Sequence, residues 1–201
     1  MSSRWLAFSM LLLVATPASA QDLSRYQRPA AREAIARITR EAIDAYEAHR
    51  PYRPSVPASL ADAAGVFVTL SRDGRTRACW GSVSPRQSSL ALDLATTAAQ
   101  VLYKDYRQPP VRPAELAGLV ARVSIVGPLE PVGSVSQLLP RRYGLLVSAH
   151  GRGGVLLPGE AATAAWQVWE CRRKAGIPPR AQGSMVRFET AVVGPIPLSG
   201  R

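Results

Sequence analysis

Apolar residues recur with helical periodicity in three segments of this chain. In the first, Ile35 and Ile38 fall on one face, which predicts an amphipathic helix over Arg28–His49. The same periodicity predicts a second helix over Ser88–Tyr103 and a third over Ala161–Ala175. Each of these segments is long enough to cover one face of a sheet.

A short apolar run at Val66–Leu70 is followed by Asp73 and Gly74 and then by a second extended segment, Arg75–Val83. Two extended segments joined by an Asp-Gly pair are the strongest short-range signal for a β-hairpin. The sequence therefore predicts a hairpin over residues 65–83.

A two-residue loop at this turn also predicts which side chains share a face of the hairpin. In that register Val68 lies opposite Cys79, and Phe67 lies opposite Trp80. Arg77 and Cys79, two positions apart on one strand, would then share a face. A cation close to a thiol lowers its pKa, so this register makes Cys79 a candidate nucleophile.

Further strands follow from alternating or continuous apolar segments. We predict a strand at Leu119–Val126, a second hairpin over Gly144–Leu157 that turns around Gly151–Gly154, and a last strand at Met185–Val193. Hairpins mixed with helices, without a regular alternation of strand and helix, favour an α+β fold over a doubly wound sheet.

The amino terminus has the pattern of a secretory signal. Arg4 precedes the uncharged segment Trp5–Ala15, and small residues lead to Ala20. We expect residues 1–20 to be removed, leaving one domain over residues 21–201 that is exported to the periplasm or secreted. No later segment has the roughly 18 uninterrupted apolar residues of a membrane span, so we expect none in the mature chain.

The chain carries 25 lysine and arginine residues against 14 aspartate and glutamate residues. Removing the leader, with Arg4, leaves a strongly basic domain, which favours an anionic partner: nucleic acid, anionic lipid headgroups or a small acidic metabolite. The arginines are scattered, with no run longer than two, so we do not expect a nucleic-acid partner. A protein partner stays open.

The residues that usually build metal or cofactor sites are scarce. His49 and His150 are the only histidines, and the Gly151–Gly154 segment does not open a helix, so we expect neither a metal nor a cofactor. The two cysteines, Cys79 and Cys171, could form a disulfide in an oxidising compartment.

The segment Arg75–Ser82 resembles the signature of the AMMECR-type domain family, which reads Leu-Arg-Gly-Cys-Ile-Gly-Thr on the second strand of a hairpin. Here Ala78 replaces the motif glycine and Trp80 replaces its small aliphatic residue. The resemblance continues in four other segments of the chain: Gly65–Leu70, Lys104–Pro110, Val123–Ile125 and Lys174–Ile177.

The resemblance implies an antiparallel sheet with helices on it and a smaller second lobe. It also implies candidate site residues, which are Cys79 as a catalytic residue and Arg77, Gly81, Asp105 and Arg107 as ligand-binding residues.

Besides a redox protein that closes a disulfide between Cys79 and Cys171, which needs the two sulfurs to lie close together, two kinds of function remain open from the sequence. The first is binding of a small anion around Arg77 and Cys79, with Cys79-dependent catalysis as its extension. The second is a non-catalytic interaction or scaffold domain in the cell envelope. In the second case Cys79 is a small buried hydrophobic residue, and Arg77 forms a structural ion pair with Asp105.

Overall fold

Two four-stranded antiparallel sheets organise residues 22–198, which are the residues that the computed structural model describes. The predicted signal peptide, residues 1–20, lies outside this range. The first sheet has the order β2-β1-β3-β8 and the second the order β4-β7-β5-β6. Their strands in chain order are β1 (Val66–Arg72), β2 (Arg75–Ser82), β3 (Val120–Val126), β4 (Glu130–Pro131), β5 (Gly144–Ala149), β6 (Arg152–Leu156), β7 (Ser184–Phe188) and β8 (Thr190–Pro197).

Helices cover one face of each sheet, which confirms the predicted α+β class. Helices α1 (Pro29–Glu47) and α2 (Leu90–Gln100) pack on the first sheet, and α4 (Ala164–Ala175) packs on the second. A single-turn helix, α3 (Pro113–Leu116), precedes β3. Gly176 ends α4 in the left-handed conformation that a glycine adopts most readily.

Each lobe has its own hydrophobic core. The larger core joins α1 and α2 to the first sheet, and the smaller one joins α4 to β5 and β6. A third cluster, formed by Phe67, Val126, Leu157 and Phe188, lies at the junction of the two lobes. Cys79 packs against this junction cluster, so the signature cysteine lies between the lobes.

The predicted hairpin over residues 65–83 is present, but its predicted register is wrong beyond Ser71. Ser71 pairs with Thr76 whereas Leu70 pairs with Ala78, which leaves Arg77 as the extra residue of a β-bulge. One extra residue moves the side chain of each later residue of the strand to the opposite face of the sheet. Val68 therefore lies opposite Trp80, and Ala78 rather than Cys79 faces the core.

Two other predictions need correction. The second hairpin turns at His150 and Gly151, so Gly153 and Gly154 belong to β6 and not to the turn. The predicted last strand is two strands, because the chain leaves the second sheet after Phe188 and enters the first at Thr190. The apolar pattern continues through this crossing, so the sequence does not mark it.

Candidate functional site

A cleft of about 170 Å³ opens at the junction of the lobes. Strands β1 and β2 form one wall, the segment after α2 forms the rim, and β6 with the end of α4 forms the opposite wall. Its lining residues are Phe67, Cys79, Trp80, Gly81, Asp105, Tyr106, Arg107, Gly153, Gly154, Val155 and Lys174. Four of the five predicted site residues are therefore brought together here, and Arg77 is not among them.

Cys79 is held at the cleft by two hydrogen bonds. The Thr69 hydroxyl, directly across the hairpin, lies 3.3 Å from its Sγ, and its backbone N–H donates to Oδ2 of Asp105 at 2.9 Å. Burial raises the pKa of the Cys79 thiol, and the Thr69 hydrogen bond and the charges of Arg107 and Lys174 only partly oppose this. The expected fall in the thiol pKa through Arg77 is therefore wrong, because the bulge moves Arg77 away from the thiol.

Asp105 and Arg107 form one rigid unit beside the thiol. Nε and Nη2 of Arg107 donate to the two carboxylate oxygens of Asp105, each at 2.8 Å, and the Arg107 N–H adds a bond at 3.1 Å. Burial alone would raise the pKa of Asp105, but the hydrogen bonds from Arg107 and from the Cys79 N–H lower it. Asp105 is thus a positioning residue whose oxygens are already occupied.

Lys174 brings a second cation into the cleft from the other lobe. Its Nζ donates to the Val155 carbonyl at 3.2 Å and lies 4.0 Å from Glu160. Gly154 allows this approach, since a Cβ at that position would collide with the backbone carbonyl of Cys171 on α4. The cleft therefore receives one cation from each lobe.

Arg77 serves packing outside the cleft. Its guanidinium binds both carboxylate oxygens of Glu115, at 2.9 and 3.1 Å, and donates to the carbonyls of Pro109 and Pro110. The hydrogen bond from Arg77, together with a weaker effect of the Arg112 N–H, lowers the pKa of Glu115 to about 2. The predicted structural ion pair exists, but its partner is Glu115 and not Asp105. Arg77 fixes the segment that carries Asp105 and Arg107.

Gly81 lines the cleft for a structural reason. A Cβ there would lie 2.6 Å from the Phe67 ring, because this position lies directly opposite Phe67 on β1. Only glycine lets the two strands approach so closely at this point. Gly81 shapes the cleft wall and offers no side chain to a ligand.

Sequence reasoning missed Lys174, Thr69 and the two glycines of β6 as parts of the site. Lys174 is one of two lysines in an arginine-rich chain, but its place in the last turn of a helix is also explained by the helix dipole. The predicted register places Thr69 opposite Ala78 and not opposite Cys79, so it did not indicate a contact between Thr69 and the thiol. The glycines suggested a turn, which is the commoner role of adjacent glycines.

No group of three or more His, Cys, Asp or Glu side chains within residues 22–198 is arranged to hold a metal ion. Across the same residues, no helix has both the length and the apolar character needed to cross a bilayer. Cys79 and Cys171 both lie in this range and are free thiols there.

The fold and the cleft together define a class: a two-lobed α+β protein with a cysteine at the junction of two antiparallel sheets. The AMMECR1 family model matches residues 30–193, and the chain belongs to this family. The resemblance read from Arg75–Ser82 is thereby confirmed at the level of the family.

Relatives and a solved structure agree with this assignment. The chain is 41% identical over 128 residues to a protein of Thermotoga maritima, covering 62% of this chain and 74% of that protein. It is 33% identical over 164 residues to a protein of Thermococcus gammatolerans, covering 73% and 80% of the two chains. The crystal structure of protein PH0010 from Pyrococcus horikoshii superposes with a TM-score of 0.72 at 26% identity, covering 79% of this chain and 88% of that one.

Proposed function

We propose that this protein is an exported member of the AMMECR1 family that binds a small anion in the cleft between its lobes. The observation that carries the proposal is the meeting of Arg107 and Lys174, one from each lobe, at the same small cleft beside Cys79. A cation from each side of a junction is an arrangement suited to an anion that bridges them.

Both cations keep hydrogen-bonding capacity for a ligand. The ion pair with Asp105 uses Nε and Nη2 of Arg107 and leaves Nη1 outside it. The Lys174 ammonium has three N–H donors, of which one reaches the Val155 carbonyl. The charges of Asp105 and Arg107 balance each other at close range, so this pair attracts an anion through the remaining N–H donors of Arg107 rather than through net charge.

The size of the cleft limits the ligand. A volume of about 170 Å³ lies below the roughly 300 to 1,000 Å³ of pockets that enclose drug-sized molecules. The apolar parts of Phe67, Trp80 and Tyr106 flank the cations. These features favour a small carboxylate or phosphate compound with a short apolar portion.

Binding is better supported than cysteine-dependent catalysis. A nucleophilic cysteine needs its thiolate, but burial raises the pKa of Cys79, and Glu160 raises it further. A bound anion would add to this effect. We therefore assign the Cys79 thiol the role of a neutral cleft wall, with catalysis as the second candidate. The interaction-domain alternative rests on a different observation, the exposure of Trp166 and Trp169 on α4.

Titration calorimetry with inorganic phosphate and with succinate tests the binding proposal. Replacing either cation, as Arg107→Gln or Lys174→Gln, is expected to weaken binding about tenfold or more, since a charge-assisted hydrogen bond is worth about 1.5–3 kcal/mol. Cys79→Ser should keep most of the affinity. Arg28→Gln, at an exposed position in the first lobe, is the matched control. Equal affinities for all four variants, or no binding of either anion by the unmodified protein, would contradict the proposal.

Export is a separate part of the proposal and has its own test. The leader pattern at residues 1–20 supports it. Amino-terminal sequencing of the protein recovered from its native cells should give Gln21 as the first residue. A chain that begins at Met1 or Ser2 would remove the exported location without affecting the binding proposal.

A further inference from the structure

Two tryptophans project from the outer face of α4. Trp166 is 43% exposed and Trp169 is 53% exposed, and their ring centroids lie 6.5 Å apart. On the opposite face of the same helix, Gln167 and Cys171 are fully buried against the second sheet. Their exposure excludes a place in the hydrophobic core of the second lobe.

Trp166 and Trp169 form an aromatic ridge, and a second cleft adjoins it. It has a volume of about 350 Å³ and lies between α4 and the segment that follows it. Val168, Trp169, Ile177 and Pro179 give it apolar walls, and Arg172 and Arg173 stand at its edge. Apolar side chains and cations thus share one exposed surface, which is distinct from the cleft at Cys79.

The second lobe also holds a disproportionate share of the positive charge. Residues 130–188 contain eight lysine and arginine residues against three glutamates, whereas the rest of residues 22–198 contains fifteen against eleven. A lobe with one third of the described residues therefore has more than half of their net charge. This excess is complementary to a negatively charged surface.

We infer that the outer face of α4 docks this protein on an anionic lipid surface. Tryptophan is the residue that anchors proteins at the level of lipid headgroups, where its ring meets apolar chains and its N–H remains in a polar layer. Nearby arginines add the electrostatic attraction that anionic lipids provide. Scattered arginines suit a diffuse charged surface better than the fixed charge pattern of one acidic protein.

The contacts of the arginines are compatible with this role. Arg173 is paired with Glu170 and stacks 5.9 Å from the centre of the Trp169 ring, so it supports the ridge. Arg180 follows the cleft residue Pro179 and is exposed. Arg180 is thus the cation near the ridge whose removal should disturb the fold least.

Sedimentation with vesicles tests the inference on protein spanning residues 21–201, because an attached apolar leader would bind lipid by itself. Binding is expected for phosphatidylglycerol vesicles and not for phosphatidylcholine vesicles. Trp166→Ala with Trp169→Ala should weaken it about tenfold or more. Arg180→Gln should weaken it about fivefold at low salt, and Arg28→Gln, in the first lobe, should leave it unchanged.

Fluorescence gives an independent readout. Trp80 is the only other tryptophan in residues 21–201. Emission should therefore move to shorter wavelength on lipid binding in the unmodified protein and should not move in the double variant. Without lipid, the Trp80 emission of that variant should move to longer wavelength on unfolding in urea, which shows that the variant is folded beforehand, because Trp80 is half-buried in the native fold.

Three outcomes would overturn the inference. Failure to bind phosphatidylglycerol vesicles would leave a protein partner as the occupant of this face. Binding that survives the double tryptophan substitution would place the lipid contact elsewhere. Self-association that the double substitution abolishes, without lipid binding, would make the occupant a second copy of this chain.

Discussion

The two hairpins of this protein have the same kind of turn but differ in strand register. Each turns through a two-residue loop with positive φ at both positions, Asp73-Gly74 in the first lobe and His150-Gly151 in the second. These are the mirror-image turns that suit the twist of paired strands. The second hairpin has a regular register. In the first, β2 has one extra residue, Arg77, and the residues that follow it point to the opposite face of the sheet.

This difference decides which residue reaches the cleft between the two lobes. Without the bulge, Cys79 would share the core face with Val68, and Ala78 would face the junction. With it, Ala78 is buried in the core and Cys79 meets Asp105 and Lys174 across the cleft. A single inserted residue can therefore move a motif from core to site while the turn remains unchanged.

The largest expected effect comes from Ala78→Asp, which would place a carboxylate in the core of the first lobe. We expect it to lower the free energy of unfolding by more than about 4 kcal/mol, because the charge would have no partner there. The matched change Cys79→Ser should cost about 1 kcal/mol, since Thr69 can still form its hydrogen bond. Urea unfolding measures both. A tolerated Ala78→Asp, with a severe Cys79→Ser, would argue for the regular register.

Adjacent glycines in the second hairpin provide the next test. A Cβ at Gly154 would collide with the backbone carbonyl of Cys171, whereas a Cβ at Gly153 would lie 3.3 Å from the end of the Leu146 side chain, which can move. We expect Gly154→Ala to cost about 1–3 kcal/mol through overpacking and Gly153→Ala to change stability by less than about 0.5 kcal/mol. Thermal or urea unfolding distinguishes them. Equal costs would show that α4 does not approach β6 as closely as described.

A smaller effect is expected from acid at the ion pair that Arg77 of the first hairpin forms with Glu115. Arg77, with a smaller contribution from Arg112, lowers the pKa of Glu115 from 4.5 to about 2, so these interactions stabilise the fold fully above pH 4.5 and are lost as the pH falls through about 2. Arg77→Gln should therefore reduce the loss of unfolding free energy between pH 4.5 and 2. Arg152→Gln is the control, because Arg152 donates to the carbonyl of Gly176 and, within residues 22–198, to no carboxylate. Identical pH profiles for both variants would exclude the Glu115 pair as a source.

The smallest expected effect is one of rate rather than stability. Burial raises the pKa of Cys79, and it raises the pKa of Cys171 to about 12. At neutral pH we expect Cys79, at the cleft, to react slowly with a thiol reagent and faster as the pH rises. Cys171, which is fully buried, should react only after unfolding. Mass spectrometry of labelled peptides assigns each rate. Rapid labelling of Cys79 below pH 7 would restore its catalytic role.

Much of the fold could be predicted from the sequence because its signals are local. The periodicity of Ile35 and Ile38, the Asp73-Gly74 turn and the glycine after α4 each act within a few residues. The bulge could not be predicted this way, because Arg77 fits either register until its partner Glu115, 38 residues away, is known.

The same limit applies to the cleft. The resemblance supplied Cys79, Asp105 and Arg107, but Lys174 comes from the other lobe, and no spacing along the chain connects it to Cys79. Its location depends on how closely α4 packs on Gly154. The crossing from β7 to β8 could not be predicted for the same reason: it depends on how the two sheets pair their strands, and the residues of this segment do not mark it.

Asp105 also affects how the first sheet ends. β2 is the outermost strand of that sheet, and an open strand edge can template the addition of another chain. By accepting the Cys79 N–H, Asp105 removes one of the donors that an incoming strand would use, and Arg77 holds residues 109 and 110 beside the same edge. The carboxylate that orients Arg107 thus also protects the folded chain against edge-to-edge aggregation.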